Sequence, residues 1–87
     1  MFYFVYMLLS VNSKKPVSYV GYSINSIKRL ASHNSGKGAK FTKGRKWKII
    51  YKKKFKTKSD ALKFEYYLKK NIKLRKIIKN KYFNEHL

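Results

Sequence analysis

The sequence predicts an α+β domain in which an antiparallel sheet carries helices, in the order β-β-α-β-α-α. Two runs rich in β-branched and aromatic residues occupy positions 2–10 and 17–22, close enough in the chain to pair as a hairpin. A third run, 47–55, alternates apolar and basic residues with the period of a strand, and three further segments space their apolar residues for helices. Strands and helices that do not alternate regularly point to an antiparallel sheet with helices packed on it.

Each element has its own signal. Phe2 to Leu9 is apolar throughout and Ser10 ends it. Asn12-Ser13-Lys14-Lys15-Pro16 is a polar, proline-terminated loop, and Val17 to Tyr22 is the second strand. Asn25 can cap a helix of about ten residues in which Ile27, Leu30, Ala31 and Asn34 share a face. Residues 35–46 carry three Gly and five basic side chains without periodicity, an exposed and mobile basic loop. In the third strand Trp47, Ile49 and Tyr51 alternate with Lys48, Ile50 and Lys52, which places the first set, Trp47 included, on one core face. Thr57 and Ser59 offer caps for a helix to about Asn71, with Asp60 in its first turn, and Leu74, Ile77, Ile78 and Tyr82 mark a third helix.

Composition narrows the function. A length of 87 residues fits one domain, 1–87, and 23 Lys or Arg against three Asp or Glu leave a net charge of +20. The basic residues cluster: Lys37 to Lys54 holds nine in 18 positions and Lys69 to Lys81 seven in 13. Such a surface calls for a polyanion. No cysteine is present, which excludes disulfides, thiolate zinc sites and thiol catalysis. Three acids and two His cannot build an all-protein metal cage, so any ion must share its ligation with water or substrate. The run from Met1 to Leu9 is too short to span a bilayer and lacks the marks of a signal peptide, so a cytoplasmic protein is expected.

Five residues carry chemical interest. Glu65 lies four after Ala61 and three before Leu68, on the apolar stripe of its helix. It is open to two readings, an ion pair with one of the many cations or a single carboxylate ligand for Mg²⁺. Tyr6 and Tyr19 fall mid-strand in the two paired runs, and either packing or chemistry would suit them; the isolated Gly21 signals a close approach of backbone or ligand nearby. Arg29 and His33 are four apart on the first helix, an ordinary solvated pair when taken alone.

Together these residues resemble a known family. Phe4-Val5-Tyr6, followed thirteen residues after its tyrosine by Tyr19-Val20-Gly21, resembles the paired motif of the GIY-YIG nuclease superfamily, with Phe4 in place of the first Gly and Val in place of each Ile. Arg29, His33, the stretch Asn34 to Gly44 and Glu65 follow in matching order and spacing. The middle stretch and the segment Ala61 to Lys70 are similar to small stand-alone bacterial members related to structure-specific excinuclease subunits, and the likeness covers roughly residues 2–80. It implies a three-stranded antiparallel sheet flanked by helices and metal-dependent hydrolysis of phosphodiesters. It also implies that Tyr6, Tyr19, Arg29 and His33 are catalytic and that Glu65 holds one Mg²⁺ or Mn²⁺. Tyr22 stands where some members carry Lys; Asn71 and Asn80 are the candidates for an asparagine that some members use.

The expected partner is nucleic acid, DNA in preference to RNA, held by Lys37, Lys40, Lys43, Arg45 and Lys46, with Phe41 and Trp47 available for stacking on bases. The resulting expectation is a structure-selective DNA endonuclease of repair or recombination, acting as a monomer or with a protein partner. The alternative is a binding module that keeps the fold without turnover or that needs a partner for activity. Membrane-surface binding by the basic C-terminal helix has only Tyr82 and Phe83 to support it.

Overall fold

Apolar strands with two faces to cover require helices on both sides, and the chain supplies them. The computed structural model describes residues 1–11, 14–38 and 40–86; Asn12 and Ser13 of the expected first loop lie outside them, as does Ala39. Strands β1 (Tyr3–Ser10), β2 (Ser18–Ser23) and β3 (Trp47–Phe55) form a sheet of order β2-β1-β3 with both pairings antiparallel. Helices α1 (Ser26–Asn34), α2 (Lys58–Lys70) and α3 (Ile72–His86) and a short 3₁₀ turn, Lys40–Thr42, complete it. No helix among the described residues is long and apolar enough to cross a membrane.

Because β1 is central, it is covered on both faces, which explains its unbroken apolar run from Val5 to Leu9. Val5 and Met7 face one side, where they pack with Val20, Ala61, Leu68 and Ile78. Tyr6 and Leu8 face the other, with Trp47 and the flanking Tyr19, Leu30 and Ile49. Fully burying a side chain of this size contributes roughly 1.5–3 kcal/mol.

The expected faces needed correcting in three places. In β3, a bulge between the partners of Met7 and Leu8 leaves Ile50 as an extra residue: Met7 pairs with Tyr51 and Leu8 with Ile49. The extra residue switches the face, so Trp47 and Ile49 join the Tyr6 cluster while Tyr51 and Phe55 join the Val5 cluster. On α1, Ile27 is 75% exposed, and Ala31 and Asn34 are exposed too; the buried side is Leu30 and His33. On α3, Ile77 points outward and the stripe is Leu74, Ile78 and Tyr82.

The caps follow the sequence. Lys28 N–H donates to Asn25 Oδ1 at 3.1 Å and Asp60 N–H to Thr57 Oγ1 at 3.1 Å. Asn71 ends α2 and, by accepting from Leu74 N–H at 2.9 Å, starts α3, so the two helices are joined through one residue. Asn71 is thereby assigned a structural task.

Leu68→Ala, at a fully buried site, should lower unfolding free energy by about 2–5 kcal/mol. Ile27→Ala should change it by no more than about 0.5 kcal/mol. Urea denaturation of both variants checks the burial assigned to each helix face; a large loss at Ile27 would refute it.

Candidate active site

On the α1 side of the sheet, Tyr6 of β1 pairs with Gly21 of β2. A Cβ at Gly21 would collide with the Tyr6 phenol ring and oxygen, so glycine is needed there for the ring to lie across the neighbouring strand. The phenol oxygen reaches His33 Nε2 at 3.0 Å, and His33 Nδ1 reaches Thr42 Oγ1 at 2.8 Å. Tyr6, His33 and Thr42 are 1%, 0% and 0% exposed. Strand, helix and loop are thus tied together by a buried polar chain. Gly38 passes so close to the ring that a Cβ there would strike His33 Nδ1.

Proton positions in this chain follow from its electrostatics. Burial pushes the Tyr6 phenol up to about 12, against the opposing hydrogen bond and charge of Arg29, with Tyr19 and Glu65 adding to the rise. Burial, helped by the Arg29 charge, pushes His33 below its ordinary 6.5. Both groups are therefore neutral near pH 7. A neutral phenol donates to Nε2, which leaves Nδ1–H to donate to the Thr42 hydroxyl.

Arg29, on α1 one turn before His33, acts on Tyr6, Tyr19 and His33 together and is the charge common to the site. Tyr19 stands beside the chain, its ring centroid 5.1 Å from His33 and stacked on Phe41 at 6.1 Å. Burial raises its phenol, with the Arg29 charge opposing and the Glu65 charge reinforcing. Glu65, on α2, has a side chain 19% exposed and pairs with Lys69 at 3.8 Å, one helical turn on. Its charge is nonetheless felt at both Tyr6 and Tyr19. Tyr6, Tyr19, Arg29 and His33 are thus gathered on the α1 side of the sheet, whereas Glu65 sits on α2, which packs on the opposite face.

The ion-pair reading of Glu65 is realised, yet an i, i+4 helix pair contributes only about 0.3–0.5 kcal/mol. Among the described residues no cluster of three or more His, Cys, Asp or Glu exists. A single partly buried carboxylate suits a hard cation that keeps most of its waters. It does not suit a metal that needs an all-protein cage.

The surface reading of the Arg29–His33 pair does not hold for His33, which is sealed in the core. The expected basic loop is in part well anchored: Thr42 is buried, Trp47 Nε1 donates to the Thr42 carbonyl at 2.9 Å, and the Asn34 side chain brackets the Trp47 backbone. Thr42 and Gly38 escaped the sequence reading. Their only signal was a hydroxyl and a glycine within a basic stretch, with nothing local to mark burial. Lys37, Lys40, Lys43 and Lys46 are exposed beside the site; Arg45 instead stacks on Phe41 at 5.2 Å and donates to its carbonyl at 3.1 Å. Tyr22 turns to the other face and stacks on Tyr3.

The family model of the GIY-YIG catalytic domain matches residues 2–83. The chain belongs to the GIY-YIG family. Its similar relatives include a UPF0213 protein of Lactiplantibacillus plantarum, 39% identical over 97% of this chain and 80% of that protein. A UPF0213 protein of Bacillus licheniformis is 51% identical over 60% of this chain and 55% of its own length, and YazA of Bacillus subtilis is 44% identical over 67% and 60%. The chain thus spans little more than half the length of some of the relatives it matches. The solution NMR structure of the UPF0213 protein BH0048 from Bacillus halodurans is 34% identical, covering 87% of this chain and 79% of that one, with a TM-score of 0.49. The three-stranded antiparallel sheet flanked by helices is the arrangement expected of a GIY-YIG domain.

A lowered His33 pKa makes neutral imidazole the favoured folded form, so its stabilisation is complete above about pH 6.5 and lost as pH falls toward the folded value. Urea unfolding from pH 7.5 to 5 should show wild type weakening below pH 6.5. His33→Gln, less stable throughout, should lack that slope. A wild-type stability that stays level or rises on acidification would contradict the neutral, buried imidazole.

Proposed function

We propose that the protein is a metal-dependent endonuclease that hydrolyses phosphodiester bonds in DNA, selecting flap, branched or single-stranded substrates, with repair or recombination as its setting. One observation carries this reading: a buried Tyr6–His33–Thr42 proton path ends beside Arg29, within the field of the carboxylate of Glu65.

Hydrolysis needs a water relieved of its proton and a transition state whose added negative charge is neutralised. Glu65 would hold one Mg²⁺ or Mn²⁺, which when bound supplies Lewis-acid neutralisation at a phosphate oxygen. Arg29 offers a planar fork of donors to the same phosphate, a geometry that a lysine cannot copy. Holding Tyr6 as phenolate at neutral pH would cost roughly 7 kcal/mol from its value near 12. Tyr6, almost fully buried, therefore serves as a relay toward a water that the bound phosphate carries in to its oxygen: that oxygen takes a proton from the water as its own moves to His33 Nε2. Thr42, accepting from Nδ1–H, steadies the imidazolium while it lasts. Tyr19, less deeply buried, positions the water or the phosphate.

Purified protein should cut labelled flap or branched DNA when Mg²⁺ or Mn²⁺ is present and stop when the metal is chelated. Glu65→Ala should abolish cutting, and Arg29→Ala should slow it by about 10²–10³. No cleavage by wild type on any substrate shape, or unchanged cleavage by Glu65→Ala, would sink the assignment and leave a binding module. If six to ten cations meet phosphates, affinity measured in chelator should fall by roughly 10³–10⁵ between 50 and 200 mM salt. A flat salt profile would remove the basic surface from the mechanism.

A further inference from the structure

Beyond Tyr6, the same face of the sheet continues as a second feature that the proposed chemistry does not use. Residues two apart on a strand share a face, so Phe4 lies in line with Tyr6, and Phe2, just before β1, is drawn to the same strip by Lys54. On β3, Lys52 pairs with Tyr6 and Lys54 with Phe4. The lysines lean diagonally: Lys52 Nζ stands 5.4 Å from the Phe4 ring centroid and Lys54 Nζ 4.3 Å from that of Phe2. Phe2 is exposed, Phe4 is half-buried, and neither belongs to a core cluster. The chain's three acids lie on α2 and α3, none of them on the strands that carry this strip. Phe4 occupies the position at which the motif resembling this one has glycine.

The geometry points to this strip as a stacking platform for two unpaired DNA nucleotides running up to the phosphate at Tyr6, their bases on Phe4 and Phe2 and their phosphates on Lys52 and Lys54. Ring spacing argues for an unpaired strand. Side chains two apart along a strand are about 6.6 Å apart, whereas bases in a duplex rise about 3.4 Å each. Successive bases can meet successive rings only if they are separated from one another, which duplex DNA resists and a single strand allows. Stacking on aromatic rings is also tolerant of base identity, so the platform selects structure rather than sequence. The placement beside Tyr6 rests on the nuclease reading, but the binding itself does not.

The test uses fluorescence anisotropy in EDTA, so that cleavage plays no part, with a labelled oligo-dT strand and a blunt duplex of equal length as probes. Phe2→Ala/Phe4→Ala should weaken single-strand binding by tenfold or more and duplex binding by less than twofold. Phe2→Leu/Phe4→Leu, which keeps the apolar bulk, should show the same selective loss, with a urea midpoint near wild type confirming the fold. Lys52→Gln/Lys54→Gln should lower the salt slope for the single strand by about one to two. Equal losses on both probes, no loss from either aromatic pair, or full binding by the leucine pair would overturn the platform. A selective loss together with absent cleavage would retain the platform and refute the nuclease reading alone.

Discussion

A phenol, an imidazole and a hydroxyl, all buried, meet through two hydrogen bonds where β1, α1 and the 3₁₀ turn converge. Leaving any one of these buried polar groups unsatisfied would cost about 1–3 kcal/mol. The arrangement also dictates its surroundings. Gly21 must lack a side chain so that the Tyr6 ring can lie flat, Gly38 must lack one so that the loop can close over His33, and Trp47 holds the turn by donating to the Thr42 carbonyl. Two glycines, a tryptophan and a threonine are thus explained by one pair of hydrogen bonds. Without it, the basic loop would have little reason to sit beside the strands.

Charge is the second constraint. With +20 on 87 residues the folded chain repels itself, and three acids cannot pair 23 cations. Lysines turn instead to ring faces: Lys53 stands 4.8 Å from the Phe64 centroid, Lys70 4.6 Å from Tyr66 and Lys54 4.3 Å from Phe2. Aromatic residues therefore fill two roles, core packing and a resting place for cations that await an anion. Arg29 differs, since its charge is directed inward at two tyrosines and a histidine.

Much of this was legible in the residues. Strand and helix positions, both asparagine and threonine caps, and the burial of Trp47 follow from local pattern, because caps and periodicity depend on neighbours in the chain. The five candidate residues were singled out by their resemblance to a family pattern rather than by any local signal. What misled was orientation: Ile27 and Ile77 look like core residues by helical period yet face outward, and the single inserted residue at Ile50 sends Tyr51 to the face opposite Ile49. A bulge leaves no mark in an alternating run that contains two adjacent isoleucines.

From the sequence by itself came an α+β chain, a charge that leads one to expect a polyanion, one carboxylate on an apolar helix stripe and a set of residues in family order. Tertiary structure alone decided that His33 is buried, that Thr42 completes its hydrogen bonding, and that Phe2, Phe4, Lys52 and Lys54 share the face of Tyr6. The reason is physical. Composition and period are properties of short segments, whereas the Tyr6–His33 bond joins groups 27 residues apart and the aromatic strip joins the start of the chain to β3. Such neighbours arise only when the sheet has chosen its register and each side chain its side.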